Sequence, residues 1–281
     1  MVIQMTKIKA AYLGPEGTYS HLTAKQYFDD SIELVPLKSI IDIFSFIAES
    51  KMNRGIVPVE NSSGGPIAET VDLLINNNYK LNIDASIHLK VKLALLGRKN
   101  EEIKYLYSHS VPLYHCNSWI RRNLPDSEKN VVSSTAKAAE IVSSEKNSAA
   151  IASISASKLY SLDVIKYPIE QDIPNITQFF ILKQETNMPS GNNVKTSISA
   201  FLNNTPGSLY EFLEPFKLDK VNLCRIISRP IYGKPSEYAF FVDIEGNISD
   251  PKMKITIDKI SKACSSLNLI SSYKSEKTYD L

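Results

Sequence analysis

Gly55-Ile56-Val57-Pro58-Val59, followed by Glu60-Asn61-Ser62-Ser63-Gly64-Gly65-Pro66, is the passage on which the fold turns. The first five residues, apolar and rich in β-branched side chains, read as a strand. The polar cluster ends it, and Pro66 suits the first turn of a helix running through Leu74. The same rhythm precedes it. Ile8 to Leu13 is apolar, Gly14-Pro15-Glu16-Gly17-Thr18-Tyr19-Ser20 is a glycine-bearing junction, and a helix runs to about Asp29. Ile32 to Leu37 is a strand. Ser39-Ile40-Ile41-Asp42 opens a helix with Ile40, Ile43, Phe44, Ile47 and Ala48 on one face. Alternating strands and helices imply parallel sheets joined by right-handed crossovers.

Downstream, Tyr79 to Leu96 is extended and carries the chain between lobes. The alternation then resumes, with strands at Lys104–Tyr107, Val131-Val132, Ala149–Ala152 and Val164-Ile165. Helices are expected at Val111–Arg122, from the cap Ser133-Ser134-Thr135 to Ser143, and at Ile154–Leu159. Two such groups predict two lobes with a cleft between them. A polar cluster, Gln171 to Asn175, leads into Ile176-Thr177-Gln178-Phe179-Phe180-Ile181-Leu182. The residue before Pro174 is biased to extended geometry, and the apolar run reads as a buried strand with the Thr177 hydroxyl at its mouth.

Lys183 to Lys195, with Pro189 and Gly191, reads as a linker. Beyond it the pattern changes. Strands are expected at Thr196–Phe201, Asn222–Ile227, Tyr238–Ile244 and Leu269–Ser272. One helix starts at Asn203–Ser208 and carries Leu209, Phe212, Leu213 and Phe216 on one face; another spans Pro251–Leu267. This βαββαβ order is the ferredoxin-like plan, a small module that commonly dimerises.

With 281 residues, 43% of them hydrophobic and 22% charged, the chain has room for a large domain and a small one. A net charge of +2 gives no general pull toward nucleic acid or membrane. No apolar run approaches a spanning helix, and Met1 to Lys7 lacks a leader's apolar core, which predicts a cytoplasmic protein. Cys116, Cys224 and Cys264 show no C-x-x-C pairing, and His21, His88, His109 and His115 no ligand spacing. Neither a metal nor an organic cofactor is expected. Gly14-x-x-Gly17 is not a dinucleotide fingerprint, Gly191 to Thr196 lacks the second glycine of a phosphate loop, and no G-x-S-x-G elbow exists. Taken singly, the junctions at Gly14–Ser20, Asn61–Gly65 and Ser133–Thr135 read as plain helix caps. Three of them converging beyond the strand ends shift the reading toward a site for a small anion, which they do not identify.

Taken in order, these segments resemble prephenate dehydratase over nearly the whole chain. Gly14 to Ser20 is similar to the family's G-P-x-G-T-F/Y-S, and Gly55 to Ser62 to its G-V-V-P-I-E-N-S. Thr70-Val71-Asp72-Leu73-Leu74, Tyr107-Ser108-His109 and Ser134-Thr135-Ala136 match further segments, and Asn175 to Phe179 stands at N-x-T-R-F. The C-terminal part resembles the family's ACT domain. Pro206-Gly207-Ser208-Leu209 lies at its G-A-L segment, and Asn222 to Pro230 at N-L-x-x-I-E-S-R-P.

The resemblance implies a two-lobed catalytic domain like a periplasmic binding protein at residues 6–185, and a ferredoxin-like ACT regulatory domain at 195–275. It implies conversion of prephenate to phenylpyruvate, carbon dioxide and water in L-phenylalanine biosynthesis, with Thr177 assisting departure of the hydroxyl. Thr18, Ser20, Asn61, Ser62, Ser134, Thr135, Gln178 and Phe179 would bind substrate. Pro206, Gly207, Ser208, Leu209, Asn222, Leu223, Ser228, Arg229 and Pro230 would bind an effector such as L-phenylalanine, in a homodimer or homotetramer. Three positions depart from the pattern. Gln178 replaces an arginine, which predicts weaker dianion binding unless Lys90, Lys92 or Arg98 supplies the charge. Ile227 replaces a glutamate and Ser208 an alanine, which predicts a weak or altered phenylalanine response. Arogenate dehydratase, prephenate decarboxylase and a non-catalytic amino-acid sensor are the alternatives on this fold; Thr177 argues against the last two.

Overall fold

The computed structural model describes residues 8–186, 188–191, 193–234 and 236–280. Residues 6 and 7 of the expected catalytic domain, the Met1–Lys7 stretch and Asn192 of the linker lie outside the described residues. The chain opens with β1 (Lys9–Leu13), α1 (Tyr19–Tyr27), β2 (Glu33–Leu37), α2 (Ile40–Glu49), β3 (Arg54–Asn61), a short β4 (Gly65–Pro66) and α3 (Ala68–Asn76). β1 pairs in parallel with β2 and β3, as the alternation predicts. Helix α2 buries Ile40, Ile43, Phe44 and Ile47 over this sheet. A Cβ on Gly55 would come within 2.5 Å of Ile47 and 2.7 Å of Ile43. Only glycine lets α2 approach β3 that closely.

β5 (Asn82–Lys90) stays with the first lobe and β6 (Ala94–Gly97) enters the second, so the crossing falls at residues 91–93. The second lobe continues with β7 (Tyr105–Ser108), α4 (Ser110–His115), α5 (Asn117–Asn123), β8 (Glu128–Val131), α6 (Thr135–Ser144), β9 (Ser148–Ala152), α7 (Ser155–Leu159) and β10 (Asp163–Lys166). Its sheet runs β10-β6-β9-β7-β8, with β7, β8 and β9 mutually parallel. The single helix expected over Val111–Arg122 is two, because Cys116 leaves helical geometry at φ −103°, ψ 15° and joins them at a bend.

β11 (Ile176–Lys183) returns to the first lobe, antiparallel between β3 and β5. Its faces serve two cores. Phe179 and Ile181 join Tyr12, Ile56 and Ile87 in a cluster that extends into the second lobe through Leu106, Trp119 and Ile151. Phe180 and Leu182 face the other way and pack with Val57, Phe241 and Tyr273. Each such fully buried side chain contributes roughly 1.5–3 kcal/mol.

The C-terminal unit comprises β12 (Val194–Phe201), α8 (Ser208–Leu218), β13 (Leu223–Pro230), β14 (Tyr238–Glu245), α9 (Pro251–Lys262) and β15 (Ser266–Asp280). Its antiparallel order β13-β14-β12-β15 is the ferredoxin-like arrangement. Two boundaries differ from expectation. α9 stops at Lys262, and Ser265 N–H already donates to Phe201 O, because the sheet claims Ser266 onward. β15 runs on to Asp280, and Lys274 to Asp280 pairs in parallel with Ala85 to Lys90 of β5. The unit's sheet and the first lobe's sheet are therefore one ten-stranded sheet, and β15 covers what would otherwise be an open edge on β5.

His115 is fully buried, and among the described residues neither ring nitrogen has a hydrogen-bond partner. Burial pushes its pKa below the ordinary value, against a smaller opposing pull from Asp172. The folded state therefore takes up a proton less readily than the unfolded chain, whose imidazole protonates below about pH 6.5. This contribution to stability is complete above the unfolded value and is lost progressively as pH falls below it toward the lower folded-state value. Melting from pH 7.5 to about 5.5 should lower the wild-type Tm relative to that of His115→Met. A Tm difference independent of pH would remove His115 as the cause.

Candidate active site

The carboxyl ends of β1 and β3 lie along one edge of the large sheet, with the start of β11 and the end of β5 beside them. Asn61 pairs with Thr177, and Lys90 with Ile176. In the second lobe, β7, β8 and β9 end at Ser108, Val131 and Ala152. Ser153, directly after β9, donates from Oγ to Gly17 O at 3.0 Å, so the two polar edges meet. Ligands of open α/β sheets collect at such strand ends.

Thr177 and Asn61 are both half-buried there. Asn61 Oδ1 accepts from Ser63 N and Gly64 N, each at 3.0 Å. Two backbone donors on that atom settle which way the amide faces. Asn61 Nδ2 then donates to Asn175 Oδ1 at 2.8 Å and to Thr177 Oγ1 at 2.9 Å. The Thr177 oxygen is held as an acceptor, which leaves its own proton free for a ligand. Asn175 is buried and shares the Asn61 amide with Thr177. Ser62 staples the same corner: its Oγ donates to Pro174 O at 2.8 Å and accepts from Ile176 N at 3.0 Å.

The helix starts are used as caps. Thr18 Oγ1 donates to Leu13 O and accepts from His21 N, and Ser134 Oγ accepts from Lys137 N. The backbone N–H groups of these first turns, not the hydroxyls, are what α1 and α6 offer an anion. Thr135 begins α6, and Ser20 is buried in the first turn of α1. His21 is structural: Nδ1 accepts from Gly17 N at 3.0 Å, and the ring stacks on Tyr12. Burial lowers its pKa. His109 Nδ1 likewise caps α4.

Two residues expected in the cleft are elsewhere. Phe179 is 1% exposed and belongs to the core beneath Thr177. Gln178 is also buried, but on the opposite face of β11, because successive strand residues alternate. It donates to Ser86 Oγ and accepts from Arg225 Nη2 of the C-terminal unit. The replaced arginine position therefore faces the C-terminal unit. Of the cations considered as substitutes, Lys92 pairs with Asp280 at 2.8 Å and Arg98 binds Ser143 O and Glu145 O. Lys90 is exposed at the site edge.

The effector residues also divide. Ser208 and Leu209 line a cavity of about 170 Å³ with Asn203, Thr205, Tyr238 and Phe240, and Ser228 lies opposite Phe240 in the ladder. Gly207 adopts φ 91° just ahead of α8. Asn222 O accepts from Glu245 N, and Leu223 packs in the unit's own core. Arg229 points to the first lobe, where it holds both carboxylate oxygens of Asp72 at 2.6 and 2.8 Å. Ile227 packs against the cluster of Phe180 and Phe241. Positions 178 and 227 thus share one interface, and neither lies in the Ser208 cavity. Glu60 and Asn175 lie inside the motifs Gly55–Ser62 and Asn175–Phe179, which give the signal for them; Ser153 lies in no motif.

Two α/β lobes meeting at hydroxyl- and amide-lined strand ends, with a ferredoxin-like unit fused to one of them, describe a two-lobed cleft enzyme for a small anion. A prephenate dehydratase family model matches residues 10–187. The bifunctional chorismate mutase/prephenate dehydratase of Pseudomonas aeruginosa is 36% identical over 268 residues, 95% of this chain and 73% of that protein. Prephenate dehydratase from Staphylococcus aureus superposes with a TM-score of 0.81 at 26% identity, covering 95% of this chain and all of that one. The Arthrobacter aurescens enzyme in complex with L-Phe superposes at 0.85 and 24% identity, over 95% and 90% of the two chains. The chain belongs to the prephenate dehydratase family, and its activity is that of a prephenate dehydratase.

Gln178 and Ile227 stand where the motifs of the resemblance carry an arginine and a glutamate, so introducing only one of that pair unbalances this interface. Gln178→Arg should cost at least about 2 kcal/mol by placing two guanidinium groups together without a new anion. KM for prephenate should not improve. Adding Ile227→Glu should recover most of the lost Tm. A lower KM in Gln178→Arg with unchanged Tm would return position 178 to the cleft.

Proposed function

We propose that the chain catalyses its elimination with Thr177 as the hydrogen-bond donor to the departing hydroxyl. The observation that carries this reading is the Asn61 Nδ2 bond to Thr177 Oγ1, which orients the oxygen and frees its proton. In prephenate the bond from the ring to the carboxylate breaks, its electron pair completes the aromatic ring, and the ring C–O bond breaks on the far side. Carbon dioxide, phenylpyruvate and hydroxide result, and hydroxide takes a proton to become water. Aromatisation supplies the driving force, so the protein's task is orientation and stabilisation of the leaving oxygen. Negative charge drawn back onto Thr177 Oγ1 meets the Asn61 amide. The N-termini of α1 and α6 suit the carboxylates, with Asn61 and Ser62 shaping the loop between them.

We read the C-terminal unit as an ACT-type regulatory module that takes L-phenylalanine at the Ser208–Leu209 cavity. The crystallised Arthrobacter relative carries that amino acid, and Ile227, facing away, does not argue against it. Exposed Leu209, Ile226 and Tyr238 on the unit fit a homodimer or a tetramer built from it.

Purified protein mixed with prephenate or with arogenate, with phenylpyruvate and phenylalanine as the respective products, separates the two dehydratase readings. Prephenate should be preferred. Thr177→Ala should lose about 10²- to 10⁴-fold in kcat with Tm nearly unchanged, since the side chain is half-buried and makes one side-chain bond. Wild-type turnover in Thr177→Ala would end its role. Saturating L-phenylalanine should raise Tm by binding the folded state. Leu209→Arg, which puts a cation in the cavity wall, should abolish that rise, and an unchanged Tm in wild type would remove the effector.

A further inference from the structure

Behind the Asn61–Thr177 pair, on the opposite face of the sheet, lies an arginine that the reaction does not touch. Arg225 stands on β13 of the C-terminal unit with its side chain 9% exposed. Its Nη2 reaches Glu60 Oε2 at 2.8 Å and also donates to Gln178 Oε1. Glu60 directly precedes Asn61 on β3, and Gln178 directly follows Thr177 on β11. One nitrogen therefore ties together the two strands that present the reacting hydroxyl and the amide holding it.

The backbone ladder is interrupted at this point. Gln178 pairs with Glu60, but Phe179 pairs with Pro58, so Val59 is left unopposed and the register shifts. A bulge bends its strand and increases local twist, so beyond it the corner of Asn61 and Thr177 is held by the Ser62 staple on one side and, on the other face, by whatever ties Glu60 to Gln178. The Arg225 tie across both strands adds that second constraint. The tie is anchored in the C-terminal unit: Arg225 Nη1 lies 3.0 Å from Asp243 Oδ2, close enough to pair though not aligned as a hydrogen bond. Asp243 is held by Ser197, whose hydroxyl also contacts Tyr273. The guanidinium also lies over the Phe180 ring, 5.7 Å from its centroid. His88, opposite Gln178 in the ladder, and Lys195 are the other charged or titratable groups nearby.

We propose that Arg225 is a positioning residue for the dehydratase reaction: it clamps β3 to β11 behind the bulge, so that the seating of the C-terminal unit sets the geometry of Thr177 and Asn61. The inference rests on the reading of Thr177 given above. It makes the C-terminal unit part of the active site's support, acting through Glu60 and Gln178 and not through any contact with substrate. Movement of β13 relative to the first lobe would reach the hydroxyl through this side chain.

The test compares Arg225→Lys, Glu60→Ala, Glu60→Gln and Asp72→Asn in the full chain, each in the wild-type and Thr177→Ala backgrounds. Lysine keeps the charge but cannot span both strands. Glu60 is partly exposed, so Glu60→Ala gives a folded variant even if Arg225→Lys does not. Asp72→Asn breaks the other ion pair between β13 and the first lobe, away from Thr177. Arg225→Lys and Glu60→Ala should each lower kcat by about three- to thirtyfold with KM within about twofold. Glu60→Gln, which keeps an acceptor, should recover part of the loss, and Asp72→Asn should retain kcat. In the Thr177→Ala background neither Arg225→Lys nor Glu60→Ala should reduce the residual rate further. Three results would overturn the proposal: unchanged kcat per folded molecule in Glu60→Ala, an equal loss in Asp72→Asn, or the same loss repeated without the Thr177 hydroxyl. Full activity of Thr177→Ala would instead refute the role of Thr177 itself, so the two failures are distinct.

Discussion

A strand shows alternate residues to opposite sides, and the rest of this structure depends on that constraint at β11. Thr177 faces the lobe junction while Gln178, its neighbour, faces the C-terminal unit. Further along, Phe179 and Ile181 join the core that continues into the second lobe; Phe180 and Leu182 join the core shared with β14 and β15. One eight-residue strand is thus packed on both sides by parts of the chain far away in sequence. Its position is set by two cores at once, and the hydroxyl at its open end inherits that rigidity.

The C-terminal unit is joined to the first lobe by more than a linker. β15 continues from pairing with β12 to pairing with β5, making a single sheet, and ends where Asp280 meets Lys92 near the crossing between lobes. Arg229 with Asp72, and Arg225 with Glu60 and Asp243, add ionic ties. Burial pushes the Asp243 carboxyl up, with Arg225 and Ser197 opposing it. Taking such groups out of water costs several kcal/mol each, so a buried cluster adds less stability than its short distances suggest. Losing one partner is far more costly, roughly 3–5 kcal/mol. The cluster's physical effect is therefore to make one seating of the two sheets much better than its neighbours.

Much of this was legible in the chain. Strand–junction–helix alternation placed β1, β3, β7 and β9 and the helices after them, because those elements bury one face in a regular period. The βαββαβ order placed the C-terminal unit. Where reading failed, tertiary contacts decided. Cys116 breaks an apparently continuous helix, and the sheet draws residues from Ser266 onward away from α9. Nothing local marks Lys274 to Asp280 as a strand; its partner β5 is about 190 residues earlier. Among candidate site residues, Thr177 and Asn61 could be found from motif and position. Gln178 could not be placed, since what each side of β11 faces is invisible until its partners are known.

The altered positions 178 and 227 gain a different meaning from this geometry. Read singly, a missing arginine suggested a cleft short of positive charge, and a missing glutamate suggested a blunted effector site. Both positions instead face the junction between β11 and β13, where Arg225 already provides a cation and Glu60 and Asp243 provide anions. An amide and an apolar side chain in place of one cation and one anion leave the local charge balance unchanged. Such exchanges are often neutral or favourable for stability, because two desolvation costs disappear together. On the reading of Thr177 proposed above, the charge that meets the substrate comes from groups on the other face. The first-turn N–H groups of α1 and α6 that the Thr18 and Ser134 caps leave open are suited to it, because helix dipoles favour carboxylates without requiring a buried cation.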